Sequence, residues 1–420
     1  MNERKKRTEY LKTVLIFLLS VSAIILVSFS GVISSDVLDA LRPGSGETAE
    51  DAVLAHTGSA PMAICVNLGD GLRCGVKYDA QSLQNHYAAF SVVLGEALAS
   101  AGEPTSVTRE NWRDAMDDKS VFIDFVYPQP LASLASGLGV RMSSSAAQDF
   151  VTRVCLVPAG EQLRMLFESD GAYYACDTAL RAESLNIPEE LAANGAVFAW
   201  ELDRGSENSD FLILSEMPMI PELSIVNSVS AAMDNDSLLS RVGLNTVIAS
   251  RYPESDGSSV YVEGERTLRV SLSGNVVYHY YISDDVPSAD VSAAEAVELA
   301  WIFAERTVGA HCTSAQLHLS DVFFDESESV WCVEFVYAVN GIAVELAGNA
   351  AAARVYIDGE SVVAAELTFR SFESGEGLLA PLPDQQAFAA MQAMGRAAQL
   401  TYFEGAVGST VQWKMTEEVE

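Results

Sequence analysis

A run of 20 uncharged residues, Val14 to Ile33, constrains the chain more than any other feature of the sequence. This run is long enough to cross the roughly 30 Å hydrocarbon core of a bilayer as a single helix. Basic residues precede it and should stay on the cytoplasmic side: Arg4, Lys5, Lys6, Arg7 and Lys12. The sequence therefore predicts a single-pass cell-membrane protein, with a cytoplasmic tail over 1–13, an anchor over 14–33 and an extracellular C-terminal region.

A cleaved secretion signal is the alternative to an anchor, because it also combines basic residues with an apolar run. We favour the anchor, since the run is longer than a usual signal core and no Ala-x-Ala site follows it. On one face of this helix, Val27 is accompanied by small residues of the kind that let membrane helices approach closely: Ser20, Ala23 and Gly31. These four residues are candidates for packing on a partner helix, although the serine can equally bond back to its own backbone.

The chain is strongly acidic, with a formal net charge of −33 at pH 7. Beyond the anchor it has only three lysines, Lys77, Lys119 and Lys414. Such a surface repels nucleic acid and anionic lipid, and it lacks the basic stripes that phosphate binding requires. We expect no nucleic-acid partner. The charge suits partners with basic patches, and plain solubility explains it as well.

Six cysteines occur as three pairs that are close in sequence: Cys65 and Cys74, Cys155 and Cys176, and Cys312 and Cys332. A two-residue turn at Gly69 and Asp70 would place Cys65 opposite Cys74. Cα atoms in such a non-hydrogen-bonded pair are about 4.5 Å apart, within reach of a disulfide. A turn centred on Asp70 and Gly71 would shift the register and remove the bridge. Cys65 and Cys74 are thus the candidate disulfide.

Periodicity beyond the anchor predicts an α+β protein built from helices packed on antiparallel meander sheets. Apolar residues recur at helical spacing over 80–101, and a strand follows at 121–127. The composition changes at several points and divides the chain into a stalk and three domains: 34–57, 58–218, 219–286 and 287–420.

The second half of the chain repeats one pattern. A polar helix over 228–240 precedes a strand pair that turns at Ser273 and Gly274. A second helix begins at a capping-box spacing, Ser292 with Glu295, and precedes a longer set of alternating segments. One helix followed by an antiparallel meander is therefore predicted twice.

The common hydrolase and nucleotide-binding signatures are absent from the sequence, including G-x-S-x-G, S-x-x-K, H-E-x-x-H and G-x-x-x-x-G-K. His311, Cys312 and His318 offer a possible metal-ligand set. However, His318 alternates with two leucines, as a strand residue does, so we favour a structural role. The sequence predicts no catalytic, cofactor-binding or metal-binding residues.

Segments spread over most of the chain carry a resemblance to a known family. RTEYLKTVLIFLLSVSAIIL is a basic stretch that leads into a spanning segment, and ENWRDAM with KSVFIDFVYPQPL joins a tryptophan, a strand and a proline-interrupted turn. Further along the chain come RYPESDGSSVYVEGERTLRVSLSGNVVYHY, then VEFVYAVNGIAVELAGNAAAARVYIDGESVV, and finally LTYFEG with VQWKM. In this order they resemble the YycH/YycI family, membrane-anchored regulators of the cell-wall sensor histidine kinase of Gram-positive bacteria.

The resemblance implies a non-enzymatic protein with a PepSY/YycI-like fold in its C-terminal half. Its anchor helix and outer domains would contact the sensor histidine kinase and a sister YycI-like regulator, without a cofactor, and tune two-component signalling. The six cysteines and the acidity depart from the family pattern. Two other functions stay open: an extracytoplasmic cell-wall hydrolase with an unrecognised carboxylate pair, and a PepSY-type binding or inhibitor module.

Overall fold

A computed structural model describes residues 58, 60–188, 190–202, 210–281, 290–394, 397–405 and 408–416. The predicted tail, anchor and stalk lie outside the described residues, and so do Ser20, Ala23, Val27 and Gly31. Within these ranges, every helix falls short of the length and apolar character that a membrane crossing requires.

Seven strands of the N-terminal half form one sheet in the spatial order β2-β1-β4-β5-β6-β7-β3, and all of their pairings are antiparallel. Asp170 and Gly171 close the β6–β7 hairpin with φ angles of 49° and 73°, as a type I′ turn requires. The strands are β1 (Ala63–Gly69), β2 (Leu72–Lys77), β3 (Thr105–Val107), β4 (Ser120–Pro130), β5 (Phe150–Ala159), β6 (Gln162–Ser169) and β7 (Ala172–Arg181).

Helices cover both faces of this sheet: α1 (Ala80–Ala99), α2 (Arg109–Asp117) and α3 (Leu131–Gly137). The helix predicted over 80–101 is confirmed as α1, which begins where the Asp79 side chain accepts a hydrogen bond from the Ser82 N–H. Leu94 of α1 packs in the core on one face, and Trp112 of α2 packs in the core on the other. Both side chains are fully buried.

Two short antiparallel ribbons and several 3₁₀ turns complete the fold. They are β8 (Val197–Phe198) with β9 (Leu212–Ile213), and β10 (Ile220–Asn227) with β20 (Arg370–Leu379). The 3₁₀ turns are Ser145–Gln148, Ala182–Ser184, Ala199–Leu202, Gly309–His311 and Ala347–Asn349.

The C-terminal half forms an eleven-stranded sheet among the described residues, in the order β11-β12-β13-β14-β19-β18-β16-β17-β21-β22, with β15 paired to β16. The first strands are β11 (Ser250–Pro253), β12 (Ser259–Glu263), β13 (Arg266–Val270), β14 (Asn275–Tyr280), β15 (Gln316–Asp325) and β16 (Val330–Val339). The others are β17 (Ile342–Glu345), β18 (Ala353–Asp358), β19 (Ser361–Thr368), β21 (Ala397–Glu404) and β22 (Ser409–Thr416). The helices of this half are α4 (Asp236–Arg241), α5 (Ala293–Arg306) and α6 (Asp384–Gln392).

The predicted pattern of a helix followed by a meander is confirmed twice, with α4 before β11–β14 and α5 before β15–β19. The capping box of Ser292 and Glu295 at the start of α5 is also confirmed. One expectation needs correction. The helix predicted over 228–240 is only the short α4, because turns occupy the residues that precede it.

The two meanders are not separate domains. Strand β14 pairs with β19, with Val276 opposite Leu367, and both side chains belong to one hydrophobic core. Each meander alone would leave a long unpaired edge, which the pairing covers. The predicted domains 219–286 and 287–420 therefore form one continuous body. At its centre Trp301 of α5 is fully buried, with its ring 5.3 Å from that of Phe335 on β16.

Candidate functional site

A cavity of about 610 Å³ lies between the start of α1 and the β15 side of the larger sheet. Its walls come from the first turns of α1, the end of α5 with the following 3₁₀ turn, β15, and the turn between β16 and β17. The lining is Gly58, Ala60, Pro61, Ala80, Leu83, Gln84, Tyr87, Glu305, Gly309, Ala310, Cys312, Ser314, Ala315, Gln316, Leu317, His318, Ala338, Asn340 and Gly341.

The turn between β16 and β17 brings the larger sheet against α1. Asn340 and Gly341 have φ angles of 56° and 72°, the left-handed pair that an Asn-Gly hairpin turn adopts. A Cβ atom on Gly341 would lie 2.6 Å from Leu83 Cδ1 and 3.1 Å from the Met62 carbonyl oxygen. Glycine thus permits both the turn and the close approach that forms one wall of the cavity.

His318 is the most enclosed polar side chain of the cavity wall, at 2% exposure. It lies on β15 between Leu317 and Leu319, whose side chains belong to the core of the larger sheet. Because side chains alternate along a strand, the His318 side chain points to the face of the sheet opposite to the one that carries these two leucines. Burial lowers its pKa to about 4, so the ring is neutral at physiological pH. Its Nδ1 has no hydrogen-bond partner among the described residues.

Tyr87 faces the same cavity from α1. No hydrogen bond to its hydroxyl is present within the described part of the chain. Burial raises the pKa of this phenol, so the group stays protonated and able to donate. The cavity wall therefore includes two neutral polar side chains, one on each half of the protein, to which the described residues supply no hydrogen-bond partner.

The possible metal set of His311, Cys312 and His318 does not assemble. The Cys312 Sγ lies 3.1 Å from both the Gly309 and the Ala315 carbonyl oxygens, and its single S–H can donate to either of them. Across the described ranges, no cluster of three or more His, Cys, Asp or Glu side chains is arranged to hold a metal ion.

A second polar cluster ties the two halves together. Lys77 Nζ lies 3.1 Å from Asp384 Oδ2 and donates to the Leu212 carbonyl oxygen at 2.9 Å. The Tyr78 hydroxyl donates to Asp384 Oδ1 at 3.0 Å, and the Leu214 N–H donates to Oδ2 at 3.1 Å. Burial lowers the pKa of Lys77, an effect that Asp384 opposes. With every polar atom engaged, this cluster has a structural role.

Three carboxylates converge on Arg153 in the N-terminal sheet. Its guanidinium contacts Asp124 Oδ2 at 3.3 Å, Glu168 Oε2 at 2.8 Å and Asp210 Oδ2 at 3.8 Å. The Tyr173 hydroxyl also donates to Asp210 at 3.2 Å. A carboxylate pair for hydrolysis needs room for substrate between an acid and a base. Here the guanidinium occupies that position.

The predicted disulfide is absent, and the register explains why. The β1–β2 turn is centred on Asp70 and Gly71, so that Cys65 lies opposite Gly75 and Cys74 lies opposite Val66. The two thiols consequently belong to the cores on opposite faces of the sheet. All six cysteines are free and buried, and burial raises the pKa of each thiol.

A scan against known protein families and a search of curated proteins each find no match to this chain. A proposed function therefore rests on the sequence and on the geometry of this chain. Sequence reasoning missed the Lys77–Asp384 cluster and the cavity, because both join segments that are distant in the chain. The one available signal for the cavity was a histidine in a strand otherwise flanked by leucines.

Proposed function

We propose that the chain is a non-enzymatic, membrane-anchored regulatory protein. Its outer region and anchor would bind a cell-wall sensor histidine kinase and a YycI-like sister regulator. The observation that carries this proposal is the repeated helix-and-meander unit, fused into one sheet through β14 and β19. A sheet of this kind is what the resemblance to YycI and PepSY-like domains leads us to expect in the C-terminal half.

The chemistry of the described side chains supports a binding role over a catalytic one. The cysteine thiols are buried with raised pKa values, which disfavours the nucleophilic thiolate. Lys77 and Asp384 neutralise each other in the interior, and the carboxylates around Arg153 are held by its guanidinium. These groups build the scaffold and leave its acidic surface available for a partner.

Co-purification of the full-length chain with the sensor kinase from detergent-solubilised membranes tests the proposal. Replacing Ser20, Ala23 and Gly31 together by leucine keeps the span apolar but blocks close helix approach, so recovery of the kinase should fall. Ser22→Leu is the matched control, because a helix places residue 22 on the opposite face. A kinase that never co-purifies with the parent chain would refute the proposal.

A chimera with an unrelated spanning helix separates the two contributions. If the chimera recovers as much kinase as the parent, recognition lies wholly in the outer region. Release of soluble fragments from purified cell wall by the parent protein, but not by Glu168→Gln, would instead favour the hydrolase.

A further inference from the structure

The cavity between α1 and β15 has the dimensions and the unsatisfied chemistry of a ligand site. Its volume of about 610 Å³ falls within the range of about 300–1,000 Å³ that small-molecule pockets occupy. His318 and Tyr87 both line it, and neither side chain has a hydrogen-bond partner among the described residues. Because the Nδ1 atom of His318 is itself enclosed by protein, a ligand would reach this ring at Nε2. Buried polar groups without hydrogen bonds are rare because they are costly, so a bound molecule would stabilise both.

The rest of the wall sets the polarity of that molecule. Much of it is apolar, with small alanines beside Leu83 and Leu317. Carboxamides of Gln84, Gln316 and Asn340 supply further donors and acceptors. A ligand that fits must therefore combine an apolar portion with groups that both donate and accept hydrogen bonds.

Charge excludes the ionic classes of ligand. No lysine or arginine occurs among the described lining residues, so nothing there balances a phosphate or a carboxylate. The single acidic lining residue, Glu305, already interacts with another group of the protein. His318 is neutral at physiological pH. An ion would thus enter without a counter-charge, which is unfavourable in a half-enclosed site.

We propose that this cavity binds an uncharged, partly apolar ligand that bears amide or hydroxyl groups, held by His318 and Tyr87. The proposal rests on the cavity alone and is independent of the proposed kinase partner. A chain that does not co-purify with the kinase can still bind the ligand. The co-purification experiment and the ligand titration therefore test the two proposals independently.

Three small peptides that share the Ala-Leu sequence and differ in their end groups, and thereby in charge, are suitable probes: the neutral N-acetyl-Ala-Leu-amide, the anionic N-acetyl-Ala-Leu and the cationic Ala-Leu-amide. Each is titrated into the full-length chain in detergent with ¹⁵N-labelled histidine rings, and His318→Asn assigns the His318 signal. The neutral peptide should shift the His318 ring nitrogens saturably. His86 and His279 lie outside the cavity lining and should not respond.

Variants that spare the core connect the binding to this cavity. Tyr87→Phe removes only the unpartnered hydroxyl and should weaken the neutral probe about fivefold, the value of one ordinary hydrogen bond. Ala80→Leu, at an exposed position at the start of α1, should narrow the cavity and abolish the shift. Tyr252→Phe, on the exposed strand β11, is the matched control and should bind as the parent does.

Several outcomes would overturn the proposal. They are the absence of a saturable His318 shift up to the solubility limit of the neutral peptide, equal or tighter binding of either charged peptide, and unchanged binding by Ala80→Leu. Thermal unfolding of each variant verifies that a lost shift does not come from a lost fold.

Discussion

Lys77 Nζ and Asp384 Oδ2 form a buried ion pair 3.1 Å long between residues that are 307 positions apart in the chain. Lys77 ends the edge strand β2 of the N-terminal sheet, and Asp384 begins α6 in the C-terminal half. The ammonium also lies 4.0 Å from the centre of the Phe211 ring. One interior contact thus joins the first and last parts of the described chain.

Removing one partner of this pair should strongly destabilise the protein. Asp384→Ala leaves Lys77 charged and buried, so the free energy of unfolding should fall by about 3–5 kcal/mol. Urea unfolding measures the change. Glu254→Ala is the control, because its pair with Arg269 is 41% exposed on both sides and its loss should lower the free energy of unfolding far less. Equal effects of the two substitutions would contradict the structural role assigned to the buried pair.

Two glycines with nearly the same backbone conformation should respond differently to a methyl group. Gly341 and Gly348 have φ angles of 72° and 73°, so alanine at either position incurs a backbone cost of about 1–2 kcal/mol. Only Gly341→Ala also brings a Cβ against Leu83 and the Met62 carbonyl, whereas Gly348 has open space. Gly341→Ala should therefore lower the unfolding midpoint further. A midpoint equal to that of Gly348→Ala would show that this turn does not press on α1.

Burial of His318 should make stability depend on pH in a predictable direction. The pKa is lowered from 6.5 to about 4 by burial, so the unfolded chain binds a proton between these values while the folded chain does not. Stability from this residue is present above pH 6.5 and declines as the pH falls towards 4, by as much as about 3 kcal/mol. Unfolding of His318→Asn across this range should show a shallower pH slope than the parent, and parallel slopes would contradict the prediction.

The six thiols should be inert in the native protein. All are buried with pKa values raised by burial, and reaction with iodoacetamide requires an accessible thiolate. Mass spectrometry should find none alkylated before unfolding and all six alkylated afterwards. Ser255→Cys adds an exposed thiol that should react at once. A non-reduced peptide map that joins Cys65 to Cys74 would refute the observed β1–β2 register.

The topology predicted from the N-terminal sequence can be tested on intact protoplasts. Protease added outside should degrade residues 34–420, while an epitope tag placed before residue 1 stays protected in the cytoplasm. The tag should become sensitive once the membrane is lysed. Protection of residues 34–420 in intact cells would overturn the predicted orientation.

Periodicity predicted the individual elements well. Local spacing predicted helix α1, the strand at 121–127 that lies within β4, and the capped start of α5. Local patterns did not predict how Cys65 and Cys74 are arranged. The β1–β2 turn lies one residue further along the chain than a disulfide requires, and this shift places the two side chains on opposite faces of the sheet. Local patterns also predicted a domain boundary between the two meanders where the sheet is continuous, because nothing in either segment reveals that β14 pairs with β19.

The sequence by itself determined the α+β class and the order of helices and strands, since 3.6- and 2-residue periods and turn residues are local properties. Tertiary structure alone decided that Lys77 meets Asp384 and that Tyr87 and His318 face one cavity. Such contacts depend on how α1 and the larger sheet pack, and this packing arises from burial of apolar surface across the whole chain. Burial is not directional, so no short motif records which distant residues it brings together.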